Sequence, residues 1–369
     1  MAPSADIPLD THSISEDPSS TASRNTTPLE KSTVLDTTFE FEDLTPTIGR
    51  EYLTARIVED ILSAPNADTL LRDLAITSPS PERGVVFFRA QESLTDDLQK
   101  NFILKLGELT GRPASSSVHI HPTLNSHNEF GTNDAEISTI SSARRKKSYF
   151  VPERPSLRKN TRATEAAWHS DIQFEEVPAD YTSLRIVQLP ENGGDTLWAS
   201  GYDIYDRFSK PYQQLFDSLT ATYVGDGFLK AVAAGRAVLY EKARGSPANT
   251  GARLLAVHPL VRTNPVTGWK SIFAIGNFPK YVNELDPEES DELLRKFYSV
   301  ILDNHDLQVR FKWRNKNDIA IWDNRSVFHS ATFDYEGLGE RAGHRVVGIG
   351  EKPFFDPNSK SKAEALAEA

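Results

Sequence analysis

The chain has no cysteine among its 369 residues. That absence removes disulfides, zinc ribbons, thiolate metal ligands and a cysteine nucleophile together. No run of about 18 or more apolar residues occurs, so no segment reads as a membrane-spanning helix. The opening stretch MAPSADIPLDTHSISEDPSS lacks the apolar core of a secretory signal and the arginines of a mitochondrial presequence. The expected location is therefore the cytosol. Positive charge is also short: 41 Lys and Arg stand against 52 Asp and Glu, a formal net charge of −11. This balance argues against nucleic acid or an anionic membrane as a partner held by overall charge. It leaves room for a small anion, because a local pair of arginines outweighs a distant average.

The residues that are present organise the chain into three parts. Residues 1–36 are rich in Ser, Thr, Asp and Pro without apolar periodicity, which predicts a flexible leader. Residues 37–355 read as a single domain, and 356–369 as a short polar tail whose SKSKAEALAEA is compatible with helix. Within the domain, EYLTARIVEDIL and ADTLLRDLAI carry apolar residues at helical spacing, and GVVFFRA (84–90) is a buried strand. LTDDLQKNFILKLGELTG (94–111) is an amphipathic helix ended by Gly111. From 118 to about 350 the segments are short and β-like, punctuated by turns such as PENGGD and NPVTG, with one helix at 286–305. This texture points to a sandwich or jelly roll rather than a doubly wound parallel sheet. The segment 144–162 is dense in Arg and Lys. It reads as a solvated loop, with a lid that steers an anion inward as the alternative.

The chemistry concentrates in AWHSDIQF (167–174), where His169 and Asp171 are two apart. On a strand they would share one face, as an ion pair or as two ligands of a metal. A third donor decides which, and His329 in NDIAIWDNRSVFH is the strongest candidate. It lies 158 residues beyond Asp171, too far for a zinc-finger loop and suited to two facing strands of a barrel. Two imidazoles and one carboxylate match the facial triad of non-haem Fe(II) oxygenases. The same atoms also suit zinc, so a zinc hydrolase or a non-catalytic metal-binding barrel stays open at this point. Arg341 and Arg345, four apart in RAGHR, favour the oxygenase. Two guanidiniums facing one way form a receptor for two anions, and a zinc hydrolase has no general need of that pair.

In this region the sequence resembles the Fe(II)- and 2-oxoglutarate-dependent dioxygenases of the taurine dioxygenase family, notably a fungal alkanesulfonate dioxygenase-like branch. The resemblance spans about residues 40–355. It is carried by VHIHP (118–122), WHSD (168–171), ENGGDTLWASGYDIYDRFS (191–209), HPLVRTNPVTG (258–268), NDIAIWDNRSVFH (317–329) and RAGHR (341–345). It implies a mainly β fold with flanking helices, the double-stranded β-helix or jelly roll. It also implies His169, Asp171 and His329 as iron ligands, and Arg341 with Thr196 as the holders of 2-oxoglutarate. His121, Arg345 and Phe278 are implied in the substrate pocket. The implied partners are 2-oxoglutarate, dioxygen and a small anionic substrate, with homo-oligomerisation left open.

The implied reaction hydroxylates an alkanesulfonate, releasing aldehyde and sulfite alongside succinate and carbon dioxide. A secondary-metabolism hydroxylase or desaturase acting on an amino acid or other carboxylate is the alternative. Leu124 stands where taurine dioxygenase has a tyrosine, and Glu165, Ala166 and Ala167 occupy the stretch where it has an asparagine. These departures disfavour taurine itself. His119 and His258 are read as structural, and Trp168, Trp198 and Trp322 as core.

Overall fold

In a computed structural model the described residues are 27–78, 83–123, 134–142 and 168–368. Leu124, Glu165 and the basic segment 144–162 lie outside them. The strands run, in chain order, β1 (Phe41–Asp43), β2 (Arg50–Tyr52), β3 (Val85–Phe88), β4 (Ser138–Ser141), β5 (Ala179–Gln188), β6 (Thr196–Ser200), β7 (Thr220–Val224) and β8 (Leu255–Pro259). They continue with β9 (Val261–Thr263), β10 (Lys270–Ile272), β11 (Pro279–Val282), β12 (Gln308–Phe311), β13 (Ile319–Asp323), β14 (Val327–Ala331) and β15 (Ala342–Ile349).

Seven of these form one large sheet in the order β1-β2-β3-β13-β5-β15-β4, antiparallel except where β2 meets β3. Against it stand two three-stranded sheets, β12-β6-β14 and β11-β7-β8, with the β9–β10 hairpin beside them. This is the expected double-stranded β-helix. Strand β3 shows why the chain folds this way, because alternate side chains of a strand point to opposite faces. Val86 and Phe88 join Leu74, Phe102, Leu106 and Ile321 in one apolar cluster, under the helices Ala67–Thr77 and Asp96–Leu109. Val85 and Phe87 instead join Trp198, Phe311, Trp322 and Val327, between the large sheet and β12-β6-β14. An uninterrupted apolar run is what a strand covered on both faces requires.

The long helices end where the sequence places their signals. Thr95 accepts the Leu98 N–H at the start of Asp96–Leu109, and Gly111 lies just beyond its end at φ +89°. Asp286 and Glu289 form a reciprocal capping box at the start of Pro287–Asp303. The β-rich region holds more helix than the single one expected, however. Gly201–Asp206, Lys210–Phe216 and Asp226–Ala233 are helical as well. Each spans only about two turns or fewer, too short to be stable alone, so its stability comes from tertiary packing. EYLTARIVEDIL also divides: Arg50–Tyr52 pairs as a strand, and helix begins only at Ile57, as the π-helical turn Ile57–Leu62.

The expected leader boundary at 36 falls inside packed structure. Ser32 and the Leu35 N–H bond the Asp73 carboxylate, and Leu35 is fully buried. The tail folds as the helix Lys362–Glu368, and Lys362 pairs with Asp203. Among the described residues no helix is long and apolar enough to cross a membrane.

Candidate metal centre and active site

His169, Asp171 and His329 converge as the sequence pattern predicts, with one potential donor atom of each lying within 4.8 Å of the others. The local reason differs from the strand pairing expected. His169 makes an isolated antiparallel bridge with His329, through N–H···O bonds of 3.1 and 2.9 Å that run both ways. The chain then turns, and Ile172 adopts φ +51°. A β-branched residue in the left-handed region is costly, of order 1–3 kcal/mol, and persists only where its surroundings over-determine it. Asp171 is therefore aimed by a turn, and His329 by β14.

The electrostatics suit a cation. Asp171 is 2% exposed. Burial works against its charge, but Arg345 and the two histidines outweigh it and lower its pKa. Arg345 Nη1 donates to Asp171 Oδ1 at 2.6 Å, while Asp171 Oδ2 is buried without a well-formed hydrogen bond among the described residues. Burial, reinforced by His169, pushes His329 down to about 3 and keeps its imidazole neutral, the form that ligates metals. A buried carboxylate oxygen without a well-formed hydrogen bond, beside two imidazoles and without any thiolate, fits Fe(II). His169, Asp171 and His329 are the residues that would hold it.

A second arginine stands four residues before Arg345, immediately ahead of β15. Arg341 is buried, donates through Nε to the Gly194 carbonyl at 2.8 Å and through Nη2 to Thr196 Oγ1 at 3.2 Å. Trp313 Nε1 donates to the same hydroxyl at 3.1 Å. No carboxylate among the described residues lies within ion-pair reach of Arg341, and burial pulls its pKa down. Gly194, at φ +75°, lets the backbone approach this arginine: a Cβ there would lie 2.8 Å from Arg341 Cδ. The GG of ENGGD thus helps to seat the Arg341 side chain.

Arg345 faces the triad from β15, and Phe278 places its ring 6.2 Å from that of His169. His121 is buried, packs edge-on against Phe228 at 4.8 Å, and accepts the Thr123 N–H on Nδ1. Phe174 and Phe228 complete an aromatic wall with Phe278, centroid distances being 5.1 to 6.2 Å. Phe228 belongs to one of the unexpected short helices, and only its neighbours in space mark it. His119 and His258 are engaged in structure: His119 meets Glu175 at 3.2 Å, and His258 Nε2 bonds the Gln173 and Glu175 carbonyls. Arg244, fully buried, clamps Glu175 with two bonds and also holds the Tyr240 and Gly251 carbonyls.

Gly276 shows how tightly the wall is built on the ligand segment. At φ +104° it passes the Trp168 carbonyl so closely that a Cβ would stand 2.2 Å from that oxygen. Gly276→Ala is expected to destabilise the fold by about 1–3 kcal/mol or more and to displace His169. Thermal unfolding together with Mn(II) titration checks both effects.

Residues 40–347 match the family described as Taurine catabolism dioxygenase TauD, TfdA family. The chain is 46% identical over 342 residues to the alpha-ketoglutarate-dependent dioxygenase oryG of Aspergillus oryzae, covering 93% of this chain and 96% of that one. It is 29% identical over 322 residues to the alpha-ketoglutarate-dependent sulfonate dioxygenase of Saccharomyces cerevisiae, covering 85% and 67%. A crystal structure of a taurine dioxygenase from Burkholderia xenovorans superposes with a TM-score of 0.60 at 24% identity, over 87% of this chain and 92% of that one, and supports the fold. With a donor set that suits iron, a buried arginine lacking a described acidic partner, and a family match over most of its length, the chain belongs to the taurine catabolism dioxygenase TauD, TfdA family, an enzyme that works with Fe(II) and 2-oxoglutarate.

Proposed function

We propose that this dioxygenase hydroxylates a small organic anion whose charged head sits on Arg345 and whose apolar body lies against Phe278, Phe174 and Phe228. The observation that carries this reading is Arg345 itself. It stands beside the triad with one nitrogen on Asp171, and its buried Nε has no hydrogen-bond partner among the described residues. A buried donor in that state calls for an acceptor, and an anionic head supplies one.

Bound iron with 2-oxoglutarate supplies the oxidising chemistry, in which 2-oxoglutarate and dioxygen become succinate and carbon dioxide as one oxygen atom enters the substrate C–H bond. The protein binds, orients and shields. His169, Asp171 and His329 are the metal donors in this reading. Arg341, with Thr196 beside it, takes the distal carboxylate of 2-oxoglutarate. Arg345 fixes one end of the substrate, and the aromatic wall sets which carbon faces the centre and excludes water from it.

The first head group is sulfonate. It is supported by the yeast relative named as a sulfonate dioxygenase, and hydroxylation at the carbon bearing sulfur would release aldehyde and sulfite. The second is carboxylate, favoured by the geometry at Arg345: a guanidinium edge pairs two parallel N–H bonds with two coplanar oxygens. A panel of alkanesulfonates, sulfate esters and small carboxylates separates them. The sulfonate reading expects sulfite in step with succinate. Coupled succinate on a carboxylate, with no sulfite from any sulfonate, sinks it in favour of the second.

A further inference from the structure

The turn between β13 and β14 carries Asn324, five residues before His329, and Asn324 is buried. Its Oδ1 accepts the backbone N–H of Asp171 at 3.0 Å and the indole N–H of Trp322 at 3.1 Å. Its Nδ2 donates to the Asp180 carbonyl at 3.1 Å and to Thr182 Oγ1 at 2.7 Å. These partners fix the amide orientation, since two N–H groups face one end and a carbonyl faces the other. The Asn324 backbone joins as well: its N–H donates to the Asp180 carbonyl at 2.8 Å, and its carbonyl accepts from Ser170 Oγ at 2.7 Å.

One side chain thus ties the segment bearing His169 and Asp171 to β5 and to the turn that leads into His329. We propose that Asn324 is a positioning residue for the metal centre, setting the direction of the Asp171 carboxylate through the Asp171 N–H. The backbone supports this. Ile172, directly after Asp171, is held at φ +51°, and a strained residue keeps its conformation only when its neighbours are pinned. Asparagine suits the place because the site needs an acceptor for Asp171 N–H and a donor for the Asp180 carbonyl. Aspartate lacks the donor, and leucine lacks both.

This inference rests on the triad being the metal site. Two full-length variants test it, Asn324→Ala and the nearly isosteric Ser170→Ala, which loses the bond to the Asn324 carbonyl. Mn(II) affinity is read from the free-ion EPR signal, and the KM for 2-oxoglutarate and thermal unfolding are measured in parallel. The expected result is Mn(II) binding weakened by roughly 10- to 100-fold in Asn324→Ala, the range typical of lost outer-sphere partners. A smaller loss in the same direction is expected in Ser170→Ala. A lower melting temperature with Mn(II) affinity within about twofold of wild type would mark a purely structural role and overturn the proposal. If Asn324→Ala does not fold, unchanged affinity in Ser170→Ala overturns it equally. If His169→Ala binds Mn(II) as tightly as wild type, the site assignment itself fails and the proposal falls with it.

Discussion

Asp171→Ala is expected to abolish 2-oxoglutarate turnover and to destabilise the protein, through two separable causes. The loss of turnover follows from removing the one carboxylate of the donor set. It should exceed the roughly 10- to 100-fold cost of losing an outer-sphere partner. The loss of stability follows from Arg345, whose only described salt-bridge partner is Asp171, at 2.6 Å with both side chains largely buried. Breaking a buried pair from one side costs about 3–5 kcal/mol, because the remaining charge is left uncompensated. The double variant Asp171→Ala with Arg345→Ala tells the two apart. It should recover much of the lost stability and none of the turnover. Succinate formation and thermal unfolding on the three proteins supply the readout, and turnover retained in Asp171→Ala at more than a small fraction of wild type would mean that the triad is misassigned. His169→Ala should abolish turnover equally without the stability penalty of an orphaned arginine.

Arg341 produces the second large effect, with an opposite sign for stability. Its guanidinium is buried and, among the described residues, is held by the Gly194 carbonyl and the Thr196 hydroxyl with no carboxylate in ion-pair reach, so without a bound anion it carries an uncompensated cost. Arg341→Met is expected to weaken 2-oxoglutarate binding by roughly 2–5 kcal/mol, at least about 30-fold in KM. The same change should leave the melting temperature of the protein free of 2-oxoglutarate equal or higher, because an apolar side chain of similar length replaces an unpaired buried charge. Arg341→Lys should not rescue the KM, since an ammonium cannot reproduce the two-pronged geometry. Initial rates against 2-oxoglutarate concentration decide the matter, and an unchanged KM would remove Arg341 from the co-substrate site.

The part of the site that was legible in advance was its donor chemistry. A chain without cysteine has few ways to hold a transition metal, and His169, Asp171 and His329 offered the right atoms in a recognisable order. The structure brings those atoms together but replaces the reason for their alignment. A strand would put His169 and Asp171 on one face by its period of two. The molecule instead uses one bridge to β14, a turn and a left-handed Ile172. Spacing suggested the pair, while the direction of Asp171 depends on Asn324, whose partners lie as far as 154 residues away along the chain.

The fold divides along the same line. The continuous apolar run Val85–Phe88 and the long periodic helices Asp96–Leu109 and Pro287–Asp303 announced themselves. The helices between 201 and 233 did not, because they are only six to eight residues long and sit among short strand-like segments, where tertiary packing settles their conformation. Residues 27–36 looked too polar to order, yet Ser32 and Leu35 find Asp73 on a neighbouring helix. Residue identity and order were enough for the metal-binding chemistry, the β-rich class and the family resemblance, since these depend on which groups are present and in what succession. The Asp171–Arg345 pair, the Asn324 clamp and the Phe174–Phe228–Phe278 wall depended on folding, because each joins groups far apart in the chain and gains its strength from burial that no local pattern records.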